Sequence, residues 1–277
     1  MKYFDIHSHI YIPDYDLDRE EIIARMKVEE IYTTSIGTDL ETSKKAIELA
    51  EKHENLFASV GMHPIREILS TRGFDIDGDH PLGISKEFET LAQHPKVVAI
   101  GECGFDLFRT PMEHMEEEKK FQKKIFEEQV DLAVKYGKGL MLHSRPSKGS
   151  QDAYEETLAA LEARAKVDGS KVFGNAHFFA GNQDMLKRFL DIGFTVSFTG
   201  VITFTHDYDE LVRLTPLESI HAETDAPYVA PVSHRGGRNS PEYVVETVAK
   251  IAELKGLDVE VVKTALIANA KRLFRLA

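Results

Sequence analysis

A single cysteine, Cys103, occurs among the 277 residues, so no intramolecular disulfide can form. None is needed, because a chain of this size buries roughly three quarters of its unfolded surface. Long apolar runs are missing too. The N-terminus enters a short apolar stretch already interrupted by Asp5, without the h-region of a signal peptide, and no run approaches bilayer length. A cytoplasmic protein without a membrane segment is expected, and no obligate protein partner is evident. Positive charge is in deficit, with 34 Lys and Arg against 46 Asp and Glu and a net charge of −12. That balance works against a broad basic nucleic-acid footprint. It leaves room for a local grip on a few phosphates, and bound cations would reverse the field in an acidic pocket. No G-x-G-x-x-G follows the first apolar run, which argues against a dinucleotide-binding doubly wound sheet.

What is present is an alternation of short apolar runs with longer segments of helical period. Residues 3–7, 30–36, 56–61, 97–101, 139–142, 171–176, 194–198 and 219–223 read as eight strands. Several are nearly continuous apolar runs, as strands buried on both faces are. Helices are expected at 19–27, capped by Asp18, and at 41–53, capped by Asp39. Others are expected at 113–136, 152–166, 183–192, 208–214, 241–255 and 258–273. Strands separated by helices pair in parallel, and eight of them fit barrel closure. The expected fold is α/β, a (β/α)8 TIM barrel made by one domain over residues 1–277, close to the ~250 residues such a barrel needs. Two stretches break the rhythm. Residues 64–84 read as a long loop whose Asp75-x-Asp77-x-Asp79 run lacks the glycine and glutamate offsets of a calcium loop. Residues 225–240, rich in proline and glycine, form a second loop after the last strand.

Metal-competent residues recur where the apolar runs end. His7 and His9 follow the first run, His63 the third, Glu102 the fourth, His143 the fifth, His177 the sixth and Asp225 the eighth. In a parallel barrel these strand ends share one face, which is where barrel active sites are built. His7-Ser8-His9 has strand spacing, so both imidazoles can share one ion. Glu102 offers two oxygens and could bridge two ions, His143 and His177 can complete a second shell, and Asp225 can ligate the first ion while taking a proton from water. A pair of divalent ions roughly 3.5–4 Å apart activates water and stabilises a leaving oxygen. Nitrogen and oxygen donors without thiolate suit zinc, manganese or a mixed site, and magnesium less well.

Each piece also has a plainer reading. A lone His-x-His is often a surface pair, but here Asp5 precedes it and could hold an imidazole from behind. Glu102 could form a salt bridge with Arg145, His143 and His177 could be satisfied core histidines, and Asp225 could cap a turn. Convergence of the whole set favours ligation over all of these. Cys103 reads as core filler. Arg145, Arg235 and Arg238 fall in loops on the same face and could bind anionic oxygens, or be solvated loop charges.

With these residues in view, the chain resembles the TatD family of metal-dependent hydrolases. The matching segments are Phe4-Asp5-Ile6-His7-Ser8-His9, Gly61-Met62-His63-Pro64, Ile100-Gly101-Glu102-Cys103-Gly104-Phe105-Asp106 and Leu142-His143-Ser144-Arg145. They continue with His177-Phe178-Phe179-Ala180-Gly181, Glu223-Thr224-Asp225-Ala226-Pro227-Tyr228, the run from Arg235 through Arg238 to Pro241, and Asn269-Ala270-Lys271-Arg272-Leu273-Phe274. The resemblance implies a TIM-type barrel, two divalent ions and hydrolysis, in several members of DNA from the 3′ end. It implies His7, His9, Glu102, His143, His177 and Asp225 as ligands, with His63 and Arg145 facing the scissile phosphate. The chain departs from the family in Phe178-Phe179-Ala180, where cysteine and serine are common, and in Leu107-Phe108, where a tyrosine is usual. The 64–84 loop and the segment 146–151 are longer than is common. No departure touches an expected ligand.

The leading expectation is a phosphodiesterase acting on DNA with Asp225 as general base. A second keeps the same centre but hydrolyses a small ester, lactone or amide. A third, a barrel that only binds a ligand or partner, requires a broken ligand set, and the six are intact.

Overall fold

Residues 1–65 and 85–277 are described by the computed structural model. Strand and helix alternate as β1 Tyr3–Ser8, α1 Arg19–Val28, β2 Ile31–Ile36, α2 Leu40–Lys52, β3 Leu56–Val60, α3 Lys86–Ala92, β4 Val97–Asp106 and α4 Met115–Tyr136. They continue as β5 Gly139–Arg145, α5 Asp152–Asp168, β6 Gly174–Ala176, α6 Gln183–Asp191, β7 Thr195–Phe198, α7 Asp209–Leu214, β8 Ile220–Ala222, α8 Val244–Lys255 and α9 Val259–Phe274. The eight strands pair in parallel in chain order. Asp225 N donates to His7 O at 2.9 Å and His9 N to Ala226 O at 2.8 Å, which joins the last strand's exit to the first strand's end and closes the barrel. The expected TIM barrel is the observed fold.

Strand starts and strand ends differ in chemistry. β1 carries Phe4 near its start, where its ring lies 5.5 Å from Phe274 of α9 and 5.9 Å from Phe57 of β3. Together with Ile6, Val98, Met141, Ala270 and Leu273 they form an apolar cluster against α9. A larger apolar cluster joins the strands to the surrounding helices and contains Cys103, which is fully buried as expected of core filler. Polar residues collect toward the strand ends, among them His7, Glu102, Asp106 and His143.

Several boundaries moved. β4 runs to Asp106 and β5 to Arg145, so Glu102 and His143 lie within strands, not after them. Two glycines allow β4 this path. Gly101 and Gly104 have φ of +139° and +140°, and a Cβ on either would run into the carbonyl oxygen of Met141 or His143 on β5. Asp39 caps α2 as expected, accepting from Thr42 N at 2.8 Å while Thr42 Oγ1 accepts from Asp39 N. Asp18 does not cap α1; its carboxylate is taken by Arg238. The expected helix 241–255 splits into a 3-10 turn, Pro241–Tyr243, and α8. The Asp75-x-Asp77-x-Asp79 run lies outside the described residues. Among the described residues, no helix is long and apolar enough to cross a membrane.

Candidate metal centre

The loops after β1 and β8 are fixed by side chains that bond to backbone. Arg19 donates to the carbonyls of Ile10, Tyr11 and Ile12 at 2.8–3.0 Å, pinning the chain beyond His9. Asn239, fully buried, donates to Thr224 O and Tyr228 O at 2.8 and 2.6 Å and so holds the loop that carries Asp225. Gln129 of α4 bonds both backbone groups of Met62 and thereby steadies His63. Asp5 behaves differently from expectation. Its carboxylate accepts from Thr224 N, Thr224 Oγ1, Thr33 Oγ1 and the backbone N–H of His7, so it ties β1 to β2 and to the segment after β8 and does not back an imidazole.

All six expected ligands come together around Glu102. On one side, His7 Nε2 and His9 Nε2 stand 3.3 Å apart. Each lies 3.5–3.6 Å from Asp225 Oδ1 and 3.6–3.8 Å from Glu102 Oε2. On the other side, Glu102 Oε1 is 2.7 Å from His143 Nδ1 and 3.0 Å from His177 Nε2, which are 3.4 Å from each other. His63 Nε2 is 3.7 Å from the same oxygen. Donors bonded to one ion at about 2.0–2.2 Å stand roughly 3.3–3.6 Å apart along a tetrahedral edge. The first group fits such an edge closely, and the second is slightly contracted, as hydrogen bonds draw it in. Three sets of side chains could each hold an ion: His7 with His9 and Asp225, His7 again with His177 and Glu223, and, sharing no residue with these, His63 with Glu102 and His143.

The ring partners set the tautomers. His9 Nδ1 lies 2.9 Å from Ile36 O, and a carbonyl can only accept, so the neutral ring turns the Nε2 lone pair toward the centre. His143 Nε2 lies 3.0 Å from Asp106 Oδ2, which leaves Nδ1 for Glu102 and the centre. His63 Nδ1 accepts from Ile65 N at 3.3 Å, so its proton sits on Nε2 and points inward. Burial with the help of His143 pushes His63 down to about 3, so this ring is neutral. Burial opposes charge on His143 as well, but Asp106 and Glu102 lift it to about 8. The acids are held ionised. Burial would raise Glu102, but the charge of His177 and hydrogen bonds from His143, His177 and His7 keep it well below the usual range. Asp225 is likewise held low, against burial, by His9, whose Nε2 lies 3.5 Å from Oδ1, and by the charges of His7 and His177.

The centre opens into a cavity of about 720 Å³, lined by Tyr11, Ile12, Thr38, His63, Arg145, Phe178, Tyr208, Tyr228 and Val229 as well as the metal-competent side chains. Arg145 stands on its wall with its guanidinium 4.1 Å over the Phe108 ring, and Glu102 is not its partner. The other two arginines are elsewhere. Arg235 stacks on Phe204 at 3.9 Å, outside the cavity wall. Arg238 forms a two-pronged pair with Asp18, donates to Asp14 O and covers the Tyr15 ring, so it fastens the last loop to α1.

Comparisons with known proteins give the family. The sequence model of the TatD related DNase family matches residues 4–275. The chain belongs to the TatD family. It is 34% identical over 278 residues to the metal-dependent hydrolase YabD of Bacillus subtilis, covering 99% of each chain. It is 29% identical to the metal-dependent hydrolase YcfH of Escherichia coli, over 98% of this chain and 95% of the relative. The crystal structure of YjjV, a TatD homologue from Escherichia coli, superposes with a TM-score of 0.82 at 26% identity over 100% of this chain and 99% of that one. The protein is thus a metal-dependent hydrolase of the TatD family. Two residues that the structure brings to this cluster were not singled out in the sequence, Asp106 and Glu223. Asp106 stands four residues beyond Glu102 on the same strand and reaches the far side of the same imidazole. Glu223 is two residues before Asp225 and lies 3.5 Å from His177 Nδ1. Acidic residues two or four places from a ligand on a strand were the available signal.

Proposed function

We propose that the protein is a phosphodiesterase acting on DNA, trimming from the 3′ end, with two divalent ions held by His7, His9, Asp225 and Glu102 and by Glu102, His143 and His177. The observation that carries this reading is the position of Glu102, whose two oxygens face the two histidine pairs. Zinc, manganese or magnesium ions held there would supply Lewis acidity and lower the pKa of water. Asp225, ionised and beside the cavity, takes the proton of the attacking water at Oδ2, the oxygen not counted among the donors of the first group. Neutral His63 presents Nε2–H to a phosphoryl oxygen. Arg145, with its face on Phe108 and no hydrogen-bond partner for its N–H groups among the described residues, binds the negative charge of the phosphate. Arg235 and Arg238 were expected beside it; Arg235 stands far enough out to meet only a longer substrate, and Arg238 is engaged with Asp18.

The test is cleavage of an end-labelled single-stranded oligonucleotide by metal-stripped protein with magnesium, manganese or zinc restored. Metal-dependent shortening from the 3′ end, abolished in Glu102→Ala, is expected. Asp225→Asn should lower kcat by about 10²–10⁴-fold, the usual worth of a general base. Unchanged turnover in that variant would remove Asp225 from its role.

One observation favours a second reading, a hydrolase of a small ester, lactone or amide. Among the described residues lining the cavity, Arg145 is the single arginine or lysine, and much of the wall is apolar. Turnover of a lactone or ester panel by protein that leaves every phosphodiester intact would select it.

A further inference from the structure

The imidazoles assigned to the two ions are backed by different chemistry. In the first group His9 Nδ1 bonds a neutral carbonyl, Ile36 O, and His7 Nδ1 is buried without a hydrogen-bond partner among the described residues. In the second group both rings face a carboxylate. His143 Nε2 bonds Asp106 Oδ2 at 3.0 Å, and His177 Nδ1 lies 3.5 Å from Glu223 Oε1, a contact of charges short of an aligned hydrogen bond.

Each of these carboxylates is aimed by bonds of its own. Asp106 Oδ1 accepts from Phe108 N at 3.1 Å, and its backbone is clamped at both N and O by Gln122. Glu223 Oε1 accepts from Phe178 N at 2.6 Å and Oε2 from Ser197 Oγ at 3.1 Å, in a side chain with no solvent exposure. Such rigid placement turns the charge of Asp106 toward His143 and that of Glu223 toward His177, with His7 also within reach of Glu223.

Charge counting gives the arrangement a purpose. The first group contains Asp225 and one oxygen of Glu102; the second contains only the other oxygen of Glu102. Two divalent ions carry four positive charges, and these two carboxylates answer half of them. Uncompensated charge in a buried site is costly. Asp106 and Glu223 supply the remaining two negative charges, one behind each ring of the second group. A carboxylate behind a ligating histidine also fixes its tautomer and raises its basicity.

We propose that Asp106 and Glu223 are positioning residues that secure the second ion through His143 and His177, while the first ion is secured by directly placed carboxylates. The proposal rests on the two-ion reading above. It makes the two binding events separable by mutation of Asp106, which lies behind His143 and in none of the three sets that could hold an ion. In Asp106→Asn the amide oxygen can still accept from Phe108 N, while its NH2 group faces His143 Nε2. That forces the ring proton onto Nδ1, the atom needed for the ion.

The experiment is calorimetric titration of metal-free protein with manganese or zinc, with bound ions counted after gel filtration. Wild type should bind in two events. Asp106→Asn should keep the first and weaken the second by about 10–100-fold, and Glu223→Gln should weaken the second more than the first. In a His143→Ala background, Asp106→Asn should produce no further loss at the second event, because its effect runs through that ring. Asp106→Asn decides the matter even where Glu223→Gln does not fold. Equal weakening of both events, or none, overturns the proposal. A single event in wild type overturns the two-ion reading as well, and is distinguishable from the other outcomes.

Discussion

His221, in the middle of β8, is buried, and neither ring nitrogen has a hydrogen-bond partner among the described residues. Burial, with a smaller contribution from the charge of Arg272, pushes its pKa down to about 3. The folded protein therefore keeps this ring neutral down to low pH, while in the unfolded chain it titrates near 6.5. Between those values the unfolded state holds one more proton, so stability is full above about 6.5 and falls as the pH drops toward 3, by up to ~1.4 kcal/mol per unit. Urea unfolding of wild type and His221→Gln at pH 7.5, 6 and 5 isolates this effect from that of the other histidines. The stability difference between the two proteins should shift in favour of the variant as the pH falls; a constant difference would show that His221 gains a partner or a proton in the fold. At this scale the sequence was informative about which metal-competent side chains the fold gathers and poor about what holds them. His7, Glu102 and Asp225 are conspicuous because a charged or imidazole side chain ends an apolar run. Asp5 looked like a support for a ring, but its oxygens meet backbone and threonine donors from β2 and the β8 exit, partners remote in sequence.

Among the elements, β4 departs furthest from what its apolar run announces. Val97–Ile100 reads as an ordinary buried strand, but pairing with β5 continues through Asp106 because Cys103, Gly104 and Phe105 stay in register with Leu142, His143 and Ser144. Only a glycine tolerates the backbone at 104, where φ is +140° and a Cβ would meet the His143 carbonyl. Gly104→Ala should cost at least about 1–3 kcal/mol in urea unfolding, and should loosen the second ion by shifting His143. Asp39→Ala, by contrast, removes the cap of α2 and should cost about 0.5–2 kcal/mol without changing metal stoichiometry. The two aspartates expected as caps show why local pattern has limits. Asp39 has Thr42 three residues on, so its cap is written locally. Asp18 has the same local context of a helix start, but Arg238 lies within reach across the molecule and takes its carboxylate.

Across the whole molecule, the excess of acid and the single arginine on the cavity wall give different information about the substrate. A protein that holds a chain of phosphates along a basic surface loses affinity steeply with salt, with a slope near −0.7 per contacted phosphate of a single strand. With Arg145 as the one cation at the wall among the described residues, the slope of log affinity against log salt should be shallow, about −1, and should flatten in Arg145→Ala. A steep slope in wild type that survives this substitution would point to contacts beyond the cavity, with Arg235 first among the candidates. The barrel itself was legible because eight alternations of period leave little other architecture. The loop partners of its arginines were not, because exposed charges choose among neighbours that only the closed fold brings together.

Closure of the barrel has a consequence for how the protein is made. The bonds that join the first strand to the last run between His7 and Asp225 and between His9 and Ala226, so the seam passes through the centre itself. A chain emerging from the ribosome exposes His7 and His9 almost at once and Asp225 only after seven further strands have been synthesised. Completion of the eighth strand is thus a checkpoint as well as a seam: the nascent chain acquires its hydrolytic centre only when the fold around it can close.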